Sequence, residues 1–175
     1  MLELKSKSHR ATFSQLGAKL VAFFVDGIDV VAGPGSDADA LASDWFSGAV
    51  TGRYAGRITK ARFMLDGKEV RLVPNVGEDQ LHGGPQDFCN AMWKSAYIDN
   101  GIRFTLHSLD GDQGFPGNVH TITTFSLTDD NEIQFTYDAN SDKTTPISLT
   151  NHGYWNLAGA GSGDIYGISY IFLWQ

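Results

Sequence analysis

Residues 20–32, which read LVAFFVDGIDVVA, decide the fold class of this chain. Two runs of β-branched and aromatic residues, Leu20–Val25 and Ile28–Ala32, flank the dipeptide Asp26-Gly27. Asp-Gly supplies the positive φ angles that a tight two-residue turn between antiparallel strands requires. The stretch therefore predicts a β-hairpin.

The same pattern continues along the chain. Arg62–Leu65 and Lys68–Leu72 flank a second such dipeptide, Asp66-Gly67, and predict a second hairpin. Further strands are predicted at Ile102–His107, Val119–Leu127, Glu132–Asp138 and Ile147–Asn151, with Asp129-Asp130-Asn131 joining the middle pair. Helical periodicity is confined to a short turn at Asp37–Trp45. Strands without intervening helices predict an all-β fold, an antiparallel sandwich or barrel, as a single domain over residues 1–175.

The composition is that of a globular protein and excludes several functional classes. Of 175 residues, 42% are hydrophobic and 19% charged, and the net charge is −7. The Lys and Arg residues are scattered, so we expect neither nucleic acid nor an anionic membrane as a partner. Cys89 is the single cysteine, the first residues show no basic-then-apolar signal-peptide pattern, and no apolar run is long enough to span a bilayer. We therefore expect a cytoplasmic protein.

The stretch Asn151-His152-Gly153-Tyr154-Trp155-Asn156-Leu157 combines an imidazole, two amides and two large aromatic rings. This mixture suits sugar chemistry. An imidazole exchanges protons near neutral pH, amides hydrogen-bond hydroxyl groups, and flat rings cover the apolar faces of sugars. Packing in the core is the alternative interpretation of the same residues.

Two further motifs carry groups that bind polyols. Gly52-Arg53-Tyr54-Ala55-Gly56-Arg57-Ile58 places two arginines among glycines, where a guanidinium can donate several hydrogen bonds to hydroxyl oxygens. A phosphate loop is excluded because no Gly-Lys-Ser/Thr follows and the segment leads into a strand; two surface arginines on a turn remain the alternative. Leu81-His82-Gly83-Gly84 adds an imidazole in the long loop Gly77–Gln86. Asp110–Asn118 forms the other long loop, and loops of this kind commonly carry function.

Metal binding and nucleophilic catalysis are both disfavoured by the sequence. His82, His107, His120 and His152 lack the close paired spacing of a metal site, so no metal ion is expected. His107 and His120 fall in predicted strands and are interpreted as structural or surface histidines. No Gly-x-Ser-x-Gly nucleophile elbow occurs. Proton transfer between positioned groups and a polyol remains.

The three motifs at residues 52–58, 81–84 and 150–157, taken in this order, resemble the aldose 1-epimerase (galactose mutarotase) family. The resemblance runs from about residue 15 to residue 160. It implies a β-sandwich of the galactose mutarotase type and a cofactor-free isomerase that interconverts the α and β anomers of a free hexose. It also implies that His152 is the catalytic acid that protonates the ring oxygen, and that Arg57 and His82 bind the substrate.

The resemblance implies a general base that this sequence does not contain. In the family a glutamate near the C-terminus removes the proton from the anomeric hydroxyl, and family members are about twice this length. We therefore expect an apparently truncated sandwich without its base, and a catalytically impaired carbohydrate-binding or regulatory protein is the alternative function. A hexose-6-phosphate epimerase, suggested only by Arg53, Arg57 and Arg62, ranks below an enzyme for neutral sugars.

Two departures from the family pattern lie inside the last motif. Gly153 stands where serine is common and Trp155 where phenylalanine is common, which can alter the sugar that fits without removing a proton donor. The apolar segment Ile165–Gln175 predicts a final strand without a polar cap. Because an unpaired apolar edge is sticky, we expect self-association or a partner chain through this strand.

Overall fold

The computed structural model describes residues 1–33, 39, 46–128 and 132–169, and β-strands dominate them. The first strands are β1 (Leu2–Lys5), β2 (His9–Ser14), β3 (Lys19–Val25) and β4 (Ile28–Asp29). Short strands follow, namely β5 (Val50–Thr51), β6 (Arg57–Ile58), β7 (Arg62–Leu65), β8 (Lys68–Arg71) and β9 (Gln80–Leu81). The last strands are β10 (Lys94–Ile98), β11 (Gly101–Ser108), β12 (Val119–Leu127), β13 (Ile133–Ser141) and β14 (Thr150–Asn151). Single turns of 3-10 helix cover Thr59–Ala61 and Asp112–Gly114.

Both predicted Asp-Gly hairpins are confirmed. β3 and β4 pair antiparallel across Asp26 and Gly27, whose φ angles are +49° and +83°. β7 and β8 pair across Asp66 and Gly67, with φ angles of +48° and +76°. Positive φ at both central residues is what a two-residue hairpin turn needs, and glycine adopts it without steric cost.

Two four-stranded antiparallel meanders form the body of the protein, in the orders β1-β2-β3-β4 and β10-β11-β12-β13. The predicted strand Val119–Leu127 coincides with β12, and the strands predicted at Ile102–His107 and Glu132–Asp138 correspond to β11 and β13. Burial alternates along β12, with Thr121, Thr123 and Phe125 facing inward. This alternation is the pattern of a sheet with one buried face.

The core lies between the two meanders. Phe13 of the first sheet stacks on Phe125 of the second with ring centroids 5.0 Å apart, and Phe104 meets Phe125 edge to face at 5.6 Å. Buried residues of this core include Ala11, Phe13, Leu20, Phe23, Trp93, Ile102, Phe104 and Phe125. Burying each large side chain contributes about 1.5–3 kcal/mol. The predicted antiparallel β-sandwich is therefore confirmed.

The predicted strand Ile147–Asn151 is shorter than expected. Only Thr150–Asn151 forms a strand, β14, while Ser148 makes an isolated parallel bridge with Tyr54. The Ser148 N–H donates to the Arg53 carbonyl over 2.9 Å, and its carbonyl accepts from the Ala55 N–H. Pro146 has no N–H to give to a ladder, which fits the late start of the strand.

The predicted C-terminal strand Ile165–Gln175 is wrong over residues 165–169, and residues 170–175 lie outside the described part. Within residues 165–169 the chain turns, and the Ile168 N–H donates to the Ile165 carbonyl over 3.0 Å. The predicted helical turn Asp37–Trp45, except Asp39, and the connection Asp129-Asp130-Asn131 also lie outside the described residues. None of the helices in the described ranges combines the length and apolarity needed to cross a membrane.

Candidate active site

Two short strand pairs bring the three motifs together. β6 pairs with β9, with Arg57 opposite Leu81, so the arginine motif lies beside the Leu-His-Gly-Gly motif. β5 pairs with β14, with Val50 opposite Asn151, so the segment leading into the arginine motif also holds the Asn-His motif. Segments far apart in the sequence are thereby brought together.

The backbone fixes the ring of His82. Its Nδ1 accepts a 3.0 Å hydrogen bond from the Gly56 N–H, while the His82 N–H donates to the Gly56 carbonyl over 2.9 Å. Because an amide can only donate, Nδ1 is unprotonated and Nε2 carries the proton in the neutral ring. Burial lowers the pKa of His82, and the charges of His152 and Arg57 lower it further. His82 is therefore a neutral hydrogen-bond donor.

Glycines allow the close approach that holds His82 in place. His82, Gly83 and Gly84 all have positive φ angles, of +54°, +101° and +104°. A Cβ on Gly83 would lie 1.9 Å from the Gly52 carbonyl oxygen, and a Cβ on Gly52 would lie 2.4 Å from the ring of Phe88. A side chain at Gly83 would force the backbone to move, and one at Gly52 would displace the buried ring of Phe88, so glycine is the residue that fits both positions.

His152 is held on both sides of its peptide by the segment before β5. Its N–H donates to the Ala49 carbonyl over 2.8 Å, and its carbonyl accepts from the Gly48 N–H over 2.9 Å. The preceding Asn151 side chain donates to the Gly48 carbonyl through Nδ2 over 2.6 Å. The first asparagine of the motif thus anchors the histidine to the scaffold.

The two histidines face each other in an aromatic cluster. The rings of His82 and His152 are 5.1 Å apart between centroids and nearly perpendicular, at 87°. The ring of Phe46 lies 4.7 Å from that of His82 and 5.8 Å from that of His152, and Tyr154 lies 5.1 Å from His152. The imidazoles therefore share a half-buried surface with an apolar wall.

Arg57 lies at the rim of this cluster. Its Nη1 is 3.2 Å from Oδ2 of Asp79, and Oδ1 of Asp79 accepts from the Lys60 N–H over 2.8 Å. The hydrogen bond from Lys60, together with Arg57, lowers the pKa of Asp79. The guanidinium is exposed, with 46% of its side chain accessible, and it is near enough to lower the pKa of His82. The structure thus brings Arg57, His82 and His152 together.

Arg53, the other arginine of the motif, lies in the interior and not at the rim of the cluster. Arg53 is buried and donates to Oγ of Ser108 over 2.8 Å, to the Leu109 carbonyl over 2.6 Å and to the Pro116 carbonyl over 3.1 Å. It holds the loop after β11 and makes no described contact with the two histidines. The interpretation of both arginines as surface residues is wrong for Arg53 and right for Arg57.

Comparison with known proteins identifies the family of this chain. The family model for aldose 1-epimerase matches residues 1–170. The chain belongs to the aldose 1-epimerase family. Galactose mutarotase from Sus scrofa is 44% identical over 138 residues, which are 79% of this chain and 40% of that protein. Aldose 1-epimerase from Escherichia coli (strain K12) is 48% identical over 118 residues, covering 67% of this chain and 34% of that protein.

Solved structures agree with the fold. A GalM/aldose epimerase homologue from C. elegans superposes with a TM-score of 0.84 at 29% identity, over 89% of this chain and 50% of that one. Galactose 1-epimerase from Lactobacillus acidophilus NCFM superposes with a TM-score of 0.81 at 26% identity, over 89% of this chain and 48% of that one. The chain thus spans about half the length of these structures and less than half that of the curated relatives it matches.

Gly153 and Trp155, the two positions at which we expect a departure from the family pattern, lie close together. A Cβ on Gly153 would lie 2.9 Å from Nε1 of Trp155 and 3.0 Å from Oδ1 of Asn151. The indole of Trp155 packs edge to face on Phe23 of β3, at 5.9 Å between centroids. A larger residue at 155 therefore occupies the room that a side chain at 153 would need.

Two residues near the site of this aldose 1-epimerase family member were missed by sequence reasoning. Phe46 contacts both imidazoles, and Asp79 binds Arg57 and the backbone of Lys60. Neither stands in a recognisable motif, because their roles arise from the tertiary approach of distant segments. Within residues 1–33, 39, 46–128 and 132–169, no group of three or more His, Cys, Asp or Glu side chains is arranged to hold a metal ion.

Proposed function

We propose that this chain carries the acid side of an aldose 1-epimerase site, which opens the ring of a free hexose so that the α and β anomers interconvert. The observation that carries the proposal is the approach of His82 and His152 to 5.1 Å beside Arg57. Relatives named galactose mutarotase and aldose 1-epimerase support the same reaction class.

The two imidazoles differ in a way that assigns their roles. His82 has its Nδ1 occupied and its pKa lowered, so it stays neutral and offers Nε2–H to a sugar oxygen. His152 has no such hydrogen bond to its ring among the described residues, and a positioned imidazole can serve as a general acid. We therefore assign His152 as the acid, with His82 and Arg57 as substrate-binding donors.

The reaction needs one proton delivered and one removed. His152 gives a proton to the ring oxygen as the bond from that oxygen to C1 breaks, and a base takes the proton of the C1 hydroxyl as the C1 carbonyl forms. Rotation about the C1–C2 bond and closure by the reverse steps give the other anomer. Each positioned acid or base contributes typically about 10² to 10⁴-fold in rate.

The base is not assigned to any residue of this chain. Asp79, the carboxylate that binds Arg57 at the rim of the site, also accepts a hydrogen bond from the Lys60 N–H, so we do not assign it as the base. The chain by itself is therefore proposed to bind hexose and to turn it over poorly. This observation also favours the second candidate, a catalytically impaired carbohydrate-binding or regulatory protein.

Calorimetry and polarimetry on one set of proteins separate these functions. Wild-type chain, H82Q, H152Q and R57Q are titrated with galactose and glucose, and mutarotation of freshly dissolved α-galactose is followed with and without added formate as a small external base. H9Q is the matched control, because His9 lies on β2, outside the three motifs. Its ring stacks on Phe23, at 5.5 Å between centroids.

Each outcome decides between the candidates. Hexose binding that H82Q and R57Q weaken, with formate-dependent mutarotation lost in H152Q but kept in H9Q, supports the epimerase. Binding without any acceleration supports the carbohydrate-binding protein. Absence of both binding and acceleration would contradict the two together.

Self-association or a partner chain through the C-terminal segment stays a prediction. Light scattering over a wide concentration range checks it, and a stable monomer throughout would contradict it.

A further inference from the structure

A second pair of histidines lies on the other sheet. His107 of β11 and His120 of β12 are direct partners in the antiparallel register. Their rings stack with centroids 4.4 Å apart and an angle of 20° between the ring planes. The sequence gives no sign of this pair, because the two residues belong to different strands and meet only through the pairing of β11 with β12.

Both rings lie on the outer face of their sheet. Ser108, next to His107, and Thr121, next to His120, are buried, and side chains on a strand alternate between faces. His107 is exposed and His120 half-buried. On the adjacent strand, Asn140 of β13 is exposed and stands directly opposite His120. The pair is therefore open to solvent on a sheet of regular strands.

This placement matches what a transition-metal ion requires. Directly opposite residues of antiparallel strands have Cβ atoms about 4.5–5.5 Å apart, and the terminal torsion of histidine is broad. Rotation of the two rings about that torsion can turn one nitrogen of each toward a common ion. Imidazole suits Zn²⁺, Cu²⁺ and Ni²⁺, and water can fill the remaining coordination positions.

We propose that His107 and His120 form a surface site for a divalent transition-metal ion with two imidazole ligands. The expected order of affinity is Cu²⁺ above Ni²⁺ and Zn²⁺, since nitrogen ligands follow that order for first-row metals. Mg²⁺ and Ca²⁺, which prefer oxygen ligands, do not bind there. The site is separate from the His82–His152 pair, where the Gly56 N–H already occupies Nδ1 of His82.

A bound ion would link two neighbouring strands of the same meander. Because the ion holds both histidines only when β11 and β12 are paired, it binds the folded state in preference to the unfolded chain. The thermal unfolding midpoint is therefore expected to rise with metal concentration, and this rise requires both histidines.

Titration of the wild-type chain with CuCl₂, NiCl₂ and ZnCl₂ tests the site, alongside H107Q, H120Q and the control H9Q. We expect one Cu²⁺ per chain, with affinity about tenfold or more weaker in either H107Q or H120Q and unchanged in H9Q. Electron paramagnetic resonance of the Cu²⁺ form should show two imidazole nitrogens in the wild type and fewer in each variant. Far-ultraviolet circular dichroism verifies that the variants remain folded.

Three results would overturn the proposal. The first is absence of saturable Cu²⁺ and Ni²⁺ binding, and the second is binding that survives in both H107Q and H120Q. The third is binding that is lost in H82Q and kept in H107Q, which would place the ion at the other histidine pair. None of these readouts depends on sugar binding or mutarotation, so failure here and failure of the proposed function are distinguishable.

Discussion

The Gly56 N–H donates a hydrogen bond of 3.0 Å to Nδ1 of His82, and the Gly56 carbonyl accepts one of 2.9 Å from the His82 N–H. One peptide thus holds both the backbone and the ring of the same residue. Because the contact comes from main-chain atoms, the tautomer of His82 is set by the pairing of β6 with β9. The donor that we assign to the sugar is therefore oriented before any ligand arrives.

The titration of His82 provides the first prediction. Burial, then His152, then Arg57 lower the pKa of His82, so H152Q and R57Q should each raise it. Nitrogen-15 NMR of the imidazole measures this pKa and should also show a proton on Nε2 in the neutral ring. A ring protonated on Nδ1 would contradict the tautomer.

The same shift has a consequence for stability. A histidine whose pKa is lower in the folded state takes up its proton more readily when unfolded, so stability should fall as pH drops below about 6.5, the ordinary histidine value. H82Q should reduce this loss. The comparison is the difference between the urea unfolding free energies of wild type and H82Q, measured from pH 7 down to pH 5.

Replacing Gly83 with alanine should disrupt the site. At φ +101° the new Cβ would lie 1.9 Å from the Gly52 carbonyl oxygen, so backbone must move in addition to the strain of a positive φ. We expect G83A to lose about 3 kcal/mol or more of unfolding free energy. G77A is the control in the same loop, because Gly77 has φ +60° and nothing within 4 Å of its Cβ position.

G77A should cost only about 1–2 kcal/mol, the strain of the left-handed conformation. Urea unfolding measures both variants, and NMR reports whether the His82 ring moves. Equal losses of unfolding free energy in G83A and G77A would show that the close contact with Gly52 does not affect stability.

Arg53 should matter for stability and Arg103 should not. R53A leaves the Leu109 and Pro116 carbonyls and the Ser108 hydroxyl without the donor that each now has. Because each buried unsatisfied group costs about 1–3 kcal/mol, we expect a loss of about 2–4 kcal/mol after water relieves some of them. R103A, on the exposed face of β11, should stay within about 0.5 kcal/mol of wild type in the same urea titration.

The buried carboxyl of Asp87 should make the unfolding free energy depend on pH in the direction opposite to that expected for His82. Burial raises its pKa to about 6, and its Oδ2 has no hydrogen bond within the described residues, while Oδ1 accepts from Asn90. A carboxyl whose pKa is raised in the folded state stabilises that state most when it is protonated. Its contribution to the unfolding free energy therefore falls as pH rises from about 4 to about 6.

D87N removes that titration and can keep the acceptor for Asn90. The wild type should lose about 2–3 kcal/mol relative to D87N across this pH interval. Urea unfolding at several pH values measures the difference, and parallel curves for the two proteins would contradict the raised pKa.

The sequence predicts the regular part of the fold well because local chemistry determines it. Asp26-Gly27 and Asp66-Gly67 specify turns by their own φ preferences, and β12 alternates inward and outward residues along its whole length. The sequence does not predict β1, β2 and β10, because polar residues such as Glu3, Arg10 and Ser95 leave each strand without a continuous apolar run. Their place is decided by pairing with neighbouring strands.

The site is predictable in its motifs and not in its contacts. His82, His152 and Arg57 stand in recognisable stretches, whereas Phe46 and Asp79 act through segments that only the folded chain brings near. The burial of Arg53 and the exposure of Arg57 cannot be read from their common motif either. Whether an arginine faces the core depends on what the rest of the chain places over it.

The two-residue pairings β5–β14 and β6–β9 have a consequence for the order of events in synthesis. Each meander joins strands that are neighbours in sequence, so it can form from short loops, whereas β5 must wait for β14. A nascent polypeptide leaving the ribosome can thus complete its first sheet long before residue 152 emerges. The pair His82 and His152 forms only when that late segment returns to the early one.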